Sequence, residues 1–233
     1  MSEYLKNIIN NLESIEKQEA DKIEKVSRLV ADVIKNDGLI HIFGCGHSHL
    51  PGLDAFYRAG GLANVSPLLD TDLMLHNGAA KSSRMEKMSG IAPEVFRRYN
   101  IDKNDIIFVL SASGKNQVPV EMALEAKKAG ITTIGICSSE YFEKGGRLHE
   151  CVDIAIDCKV PYGDASVAVG DVMMGGLSTY AACFILNSCL INGSKIALNE
   201  GTVPPVFKSG NIDGGKDYNI HLEERYLGRV KHL

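Results

Sequence analysis

The chain has 233 residues, of which 45% are hydrophobic and 23% charged, enough for one substantial core and too balanced for a disordered or fibrous chain. A formal charge of −4 excludes a general nucleic-acid binder, which needs a basic face. The charged opening Met1–Lys6 has no apolar signal core, and the six cysteines, at 45, 137, 151, 158, 183 and 189, form no C-x-x-C pair, as expected of reduced core thiols in a cytoplasmic protein.

Residues 4–35 carry Leu5, Ile8, Ile9, Leu12 and Ile15, then Ile23, Val26, Val30 and Val33, at helical spacing. This predicts one long amphipathic helix, stopped by Asn36-Asp37-Gly38. The apolar run Leu39–Phe43 predicts a first strand. It ends in the polar loop Gly44-Cys45-Gly46-His47-Ser48, and Pro51 falls in the first turn of the helix that follows. A short strand is expected at Asn64–Ser66, with helical patterning at Ala79–Met88 and Glu94–Tyr99. The third strand, Asp105–Leu110, ends in a second polar loop, Ser111-Ala112-Ser113-Gly114-Lys115-Asn116. A helix over Val118–Ala129 follows, with Gly130 as its stop, then strands at Thr132–Cys137 and Val152–Asp157.

From Val172 to Ser194 no side chain is charged, a length that could cross a bilayer. Gly175, Gly176, Ser178, Thr179, Asn187, Ser188 and Asn192 make it too polar for that, and a helix buried between sheet and partner subunit is expected instead. From Asn199 the chain is rich in glycine and proline and reads as an extended tail. Apolar strands alternating with helices predict an α/β three-layer αβα sandwich on a five-stranded parallel sheet. The expected organisation is one domain over 1–233, with an N-terminal helix in 1–37 and a tail in 199–233.

Both polar loops leave a strand end and enter a helix. Hydroxyls and free N–H groups therefore gather where the helix dipole favours an anion, and phosphate is the usual occupant. Two such loops at the carboxyl edge of one sheet point to a small phosphorylated ligand. Rival motifs fail on single residues. A dinucleotide fingerprint from Gly44 requires glycine where His49 stands. A Walker loop ending at Gly114-Lys115 requires glycine at Val109 and Ser or Thr at Asn116. A nucleophile elbow at Ser48 requires glycine at Leu50.

The two loops, G-x-G-x-S after the first strand and S-x-S-G after the third, resemble the SIS (sugar isomerase) domain, and the resemblance extends over the chain after Gly38. Asn116 stands where that family usually has threonine, and its amide can still donate to a phosphate. Gly46-His47-Ser48-His49, Phe56–Gly61, Leu73–His76 and Pro204–Ser209 resemble a stand-alone bacterial phosphosugar-binding group similar to phosphoheptose isomerases. The resemblance implies a flavodoxin-like sheet and a phosphate held by Ser48, Ser111, Ser113 and Asn116. Gly46, His47, His49 and Gly114 complete the expected substrate contacts, with Lys208 from a closing segment laid across a partner's sugar pocket. Taken singly, each serine reads equally as a turn or cap residue. His47 and His49 lack a third and fourth metal ligand, so hydrogen bonds to substrate are expected of them and no metal.

The resemblance further implies an aldose–ketose sugar-phosphate isomerase, working through an enediolate without a cofactor. Phosphoheptose isomerases place a metal-binding His and Glu six and ten residues past the first-loop serine, where this chain has Asp54 and Arg58. Their acid/base histidine on the last helix has no counterpart in Val172–Ser194. His76 and Asp54 are therefore the expected catalytic residues, with Glu86 a weaker candidate. A non-catalytic phosphosugar sensor and an amino-sugar phosphate lyase or etherase remain alternatives. The sequence before Gly38 leaves no room for the helix-turn-helix a transcriptional sensor would carry. The expected partners are a phosphorylated sugar and further copies of the chain (dimer or tetramer) across the uncharged and N-terminal helices, with no nucleic acid and no membrane.

Overall fold

The computed structural model describes all 233 residues. Two helices, α1 (Glu3–Gln18) and α2 (Ala20–Lys35), replace the single helix expected over 4–35. The break is Glu19, whose φ and ψ of −112° and 8° leave the helical region. Its carboxylate turns inward to 4% exposure, accepts from the Asp157 N–H at 3.2 Å and pairs with Lys159 Nζ at 3.3 Å. The chain bends where a buried charge must meet partners across the core.

Next in order come β1 (Ile40–Gly44), α3 (Leu50–Ala55), β2 (Val65–Pro67), α4 (Ala79–Met85), α5 (Ile91–Phe96), β3 (Ile106–Leu110), α6 (Gln117–Lys128), β4 (Thr132–Cys137), α7 (Leu148–Cys151) and β5 (Ile154–Asp157). The five strands are parallel in the order β2-β1-β3-β4-β5. This is the flavodoxin-like order, whose switch point lies between β1 and β3. Gly44 pairs in register with Leu110, so the two polar loops leave the sheet side by side.

Each central strand is apolar on both faces because both are covered. Ile40, Ile42, Ile106, Phe108 and Leu110 join α2 in one core cluster. Phe43, Ile107 and Val109 meet Val95 of α5 and Val118, Met122 and Ala126 of α6 in another. That two-sided burial is why the strands read as continuous apolar runs. All six cysteines are free thiols, four of them buried.

The uncharged stretch is not one helix. It holds β7 (Val172–Gly176), which pairs antiparallel with the preceding β6 (Ala165–Val169) in a hairpin separate from the main sheet, and most of α8 (Ser178–Asn199). Asp164 sets the boundary: its Oδ1 accepts from the Leu177 and Ser178 N–H groups and its Oδ2 from the Ser178 hydroxyl. The inner face of α8, with Ile185 and Cys189 fully buried, packs on α2 in the main core.

The tail from Asn199 is not extended either. Phe207 exchanges backbone hydrogen bonds with Gly60 and Gly61 at 2.8 and 2.9 Å, and α9 (Gly215–Tyr226) folds back. Phe207, Leu222, Tyr226 and Val230 pack with Leu39 and Ala63. Asp37 fastens this segment, accepting from Arg225 at 2.7 Å and Arg229 at 2.9 Å. The apolar residues of the tail are too dispersed for a sequence pattern and become a cluster only when the helix returns.

Candidate functional site

Backbone geometry builds the two loops. A Cβ on Gly44 would sit 2.1 Å from the Ser48 carbonyl oxygen, so only glycine lets β1 turn directly into the single 3-10 turn Gly46–His49. In the second loop Gly114 takes a left-handed φ of +58°, a conformation that favours glycine. Ser111 Oγ accepts from the Gly114 N–H at 3.1 Å and Ser113 Oγ from the Lys115 N–H at 3.4 Å. Each hydroxyl keeps its own hydrogen for a ligand. The N–H groups of Ser113 in the loop and of Asn116 and Gln117 at the start of α6 donate to nothing within the chain, and Asn116 makes no side-chain cap bond.

These groups open on a cleft of about 180 Å³ lined by Cys45, Ser48, Glu86, Ser111, Ser113, Asn116 and Tyr141. Ser48 and Ser111 continue into a narrow recess with His47, Ser178 and Thr179, so the N-terminus of α8 also points here. No lysine or arginine lines the cleft, and Glu86 is its one carboxylate. Glu86 caps the end of α4, and its carbonyl accepts from the Val118 N–H at 3.0 Å, which binds this end of α4 to α6. Burial pushes its carboxyl above the ordinary Glu range, outweighing the opposing Asn116 amide and Lys87 ammonium. Burial also drives the Cys45 thiol well up, which keeps it protonated and unreactive.

Residues 3–138 match the SIS domain model. The chain belongs to the SIS domain family. Over 244 residues it is 38% identical to a UPF0309 protein of Thermoanaerobacter pseudethanolicus, with 99% of each chain covered. Two solved SIS-like folds superpose on it. Phosphoheptose isomerase from Neisseria gonorrhoeae gives a TM-score of 0.53 at 15% identity, covering 82% of this chain and 95% of that one. A Methanococcus jannaschii protein, inferred to be a 3-hexulose-6-phosphate isomerase, gives 0.51 at 18%, covering 85% and 92%. At those identities the likeness is one of fold.

On this SIS fold the residues expected from sequence separate into two groups. Ser48, Ser111, Ser113 and Asn116 meet at one cleft, and His47 lines its extension. His49 is buried behind the first loop, its Nδ1 paired with the Gly46 carbonyl, and burial lowers its pKa. His76 is exposed and lies beside His49, ring centroids 6.4 Å apart, outside the cleft lining. Asp54 is paired with Arg58 and accepts from Asn187 Nδ2 at 3.4 Å, also away from the lining. Lys208 lies over the Tyr218 ring at 4.0 Å, in a separate groove with Tyr57 and Arg58. Glu86, the weaker candidate in the sequence, is the one carboxylate that lines the cleft. Its only local signal is a carboxylate at a short helix end, and nothing in the spacing relates position 86 to 113 or 116. No group of three or more His, Cys, Asp or Glu side chains is placed to hold a metal.

Proposed function

We propose that this SIS-domain protein binds a sugar phosphate in the cleft between β1 and β3 and interconverts its aldose and ketose forms, with Glu86 as the base. The observation that carries the reading is one half-buried carboxylate of raised pKa facing three serine hydroxyls, an amide and the free N–H groups of a helix N-terminus. The phosphate takes the donors of Ser48, Ser111, Ser113, Asn116 and the first turn of α6. With no cation in the lining, its charge is met by dipoles. The sugar chain then lies toward Glu86.

A carboxylate with a raised pKa is a better-matched base near neutral pH than an ordinary one. Glu86 takes the C2 proton of the aldose, and the C–H electron pair becomes the C1–C2 double bond. The carbonyl oxygen accepts a proton, giving an enediol. Return of the proton to C1, with loss of the proton on O2, yields the ketose, with no net oxidation. The sugar-phosphate isomerases that share the fold support the ligand class. The test is a panel of sugar phosphates in deuterated water: wild-type protein exchanges the C2 proton, and Glu86→Gln binds without exchange. Binding without exchange by the wild type would make the protein a sensor. No binding at all would remove the reading.

A further inference from the structure

Toward the amino edge of the sheet, His41 of β1 and Ser66 of β2 pair in register, so their side chains share one face. Both residues are 1% exposed. His41 Nε2 meets Asp105 Oδ2 at 3.1 Å, but His41 Nδ1 and Ser66 Oγ have no partner within the chain. Buried polar atoms rarely go unanswered. His41 also forms the floor of a pocket of about 290 Å³, whose lining includes Arg98, Tyr99, Asn100, Arg229 and Lys231 and no Asp or Glu side chain.

The cations here outnumber their partners. Asp70 answers Arg98 at 2.7 Å, and Asp37 is shared by Arg225 and Arg229. Lys231 Nζ donates to the Arg98 carbonyl at 3.0 Å, lies 4.8 Å from the Tyr99 ring centre and meets no carboxylate. Four cations against two carboxylates leave two positive charges in excess at the rim, which matches a phosphate monoester dianion better than a single carboxylate. Arg98 bonds Asp70 through Nη1 alone, so its Nε and Nη2 remain as donors. The floor has the opposite need. The Asp105 carboxylate can only accept, so His41 Nε2 carries the hydrogen toward it and the neutral ring leaves Nδ1 as an acceptor. An anion is wanted at the rim and a hydroxyl at the floor.

We propose that this pocket is a second ligand site, for a small phosphorylated polyol. Its phosphate lies on Arg98, Arg229 and Lys231, and one of its hydroxyls donates to His41 Nδ1. The volume is at the small end of ligand sites, which favours a short polyol chain. The pocket shares no lining residue with the cleft. The two sites lie at opposite ends of β1, which runs from His41 to Gly44 and the first polar loop. The cleft meets an anion with dipoles and the pocket meets it with charge, so the second site stands whether or not the first is an isomerase centre.

The probes are glycerol 3-phosphate, inorganic phosphate and glycerate at millimolar concentration. Each is titrated calorimetrically into the wild type and into Ser111→Ala/Ser113→Ala, which disables the cleft. In the double variant glycerol 3-phosphate should still bind, more tightly than either other probe. It should also slow acetylation of Lys231 relative to exposed Lys6, read by peptide mass spectrometry. Lys231→Glu should weaken glycerol 3-phosphate and inorganic phosphate alike by at least about tenfold, as loss of a charge-assisted bond does. His41→Gln keeps a donor for Asp105 and removes the Nδ1 acceptor. It should weaken glycerol 3-phosphate about tenfold and leave inorganic phosphate within about threefold. Should that variant not fold, the wild-type preference for glycerol 3-phosphate over inorganic phosphate reads the same contact. Unprotected Lys231, or unchanged affinity in Lys231→Glu, overturns the site. Glycerate binding as tightly as glycerol 3-phosphate overturns the phosphate, and equal affinity for glycerol 3-phosphate and inorganic phosphate overturns the hydroxyl contact. Failure of C2 exchange bears on the cleft alone.

Discussion

Asp105 and Glu86 are two carboxylates drawn out of water on opposite edges of the same sheet. Asp105, just before β3, accepts from the Leu39 and Asp102 N–H groups at 2.7 Å each and from His41 Nε2 at 3.1 Å. Burial opposes its ionisation, but these donors outweigh burial and hold its carboxyl below the ordinary range. Glu86, beyond the carboxyl end of the strands, is opposed only by Asn116 and Lys87, and burial wins. Desolvation acts on both, and the number of donors decides the sign. At the amino edge each carboxylate is met by several donors, as where Asp37 holds Arg225 and Arg229. At the carboxyl edge hydroxyls and N–H groups are left open. The first arrangement stabilises the fold, and the second is available to a ligand.

Glu86→Gln tests the contrast hardest. Loss of a general base should lower C2 exchange by about 10²–10⁴-fold. Stability should move the other way. A raised native pKa means the folded chain holds the proton more tightly than the unfolded chain, so that contribution is complete at low pH and is lost as pH rises through the native value. The glutamine variant lacks this loss, so it should match the wild type at about pH 4 and exceed it at about pH 8 in thermal melts. Exchange by the wild type should rise with pH through a midpoint above the ordinary carboxylate range.

The double variant Ser111→Ala/Ser113→Ala comes next. Hydrogen bonds to a charged group contribute about 1.5–3 kcal/mol each, so phosphate affinity should fall at least about a hundredfold together. The melting temperature without ligand should stay close to the wild type, since alanine fits both backbone conformations. A sugar-phosphate thermal shift unchanged in this variant would leave the second loop a helix cap and nothing more.

Asp105→Ala should do the reverse, costing about 3–5 kcal/mol in urea unfolding because it strands a buried histidine and two N–H groups, with ligand affinity unchanged in the folded fraction. The Asp105 contribution is present above the ordinary Asp range and is lost as pH falls through its lower native value. The smallest effect is expected of His76→Ala, with exchange within about threefold, the size of change at an exposed position outside the cleft. If that variant abolished exchange while Glu86→Gln did not, His76 would be the proton carrier.

The five strands and both polar loops were legible from sequence because each rests on neighbours in the chain. Ile106–Leu110 must be extended and buried whichever strand it meets, and Ser111–Asn116 must follow it. That the two loops meet needed only the strand order such alternation favours. The tertiary structure alone decided where charged and isolated apolar side chains went. Glu19 breaks a helix because its partners are at 157 and 159. Asp164 converts part of an uncharged run into a hairpin by capturing the start of α8 thirteen residues on. Phe207 becomes core only against Leu39, Ala63 and Tyr226. Glu86 holds its proton more tightly than an ordinary glutamate because α6 fixes the end of α4 and burial there outweighs the Asn116 amide beside it. Backbone preference is local and reads from a few residues. The cost of burying a charge is set by whichever groups the fold brings within 3 to 4 Å, and no spacing along the chain contains that.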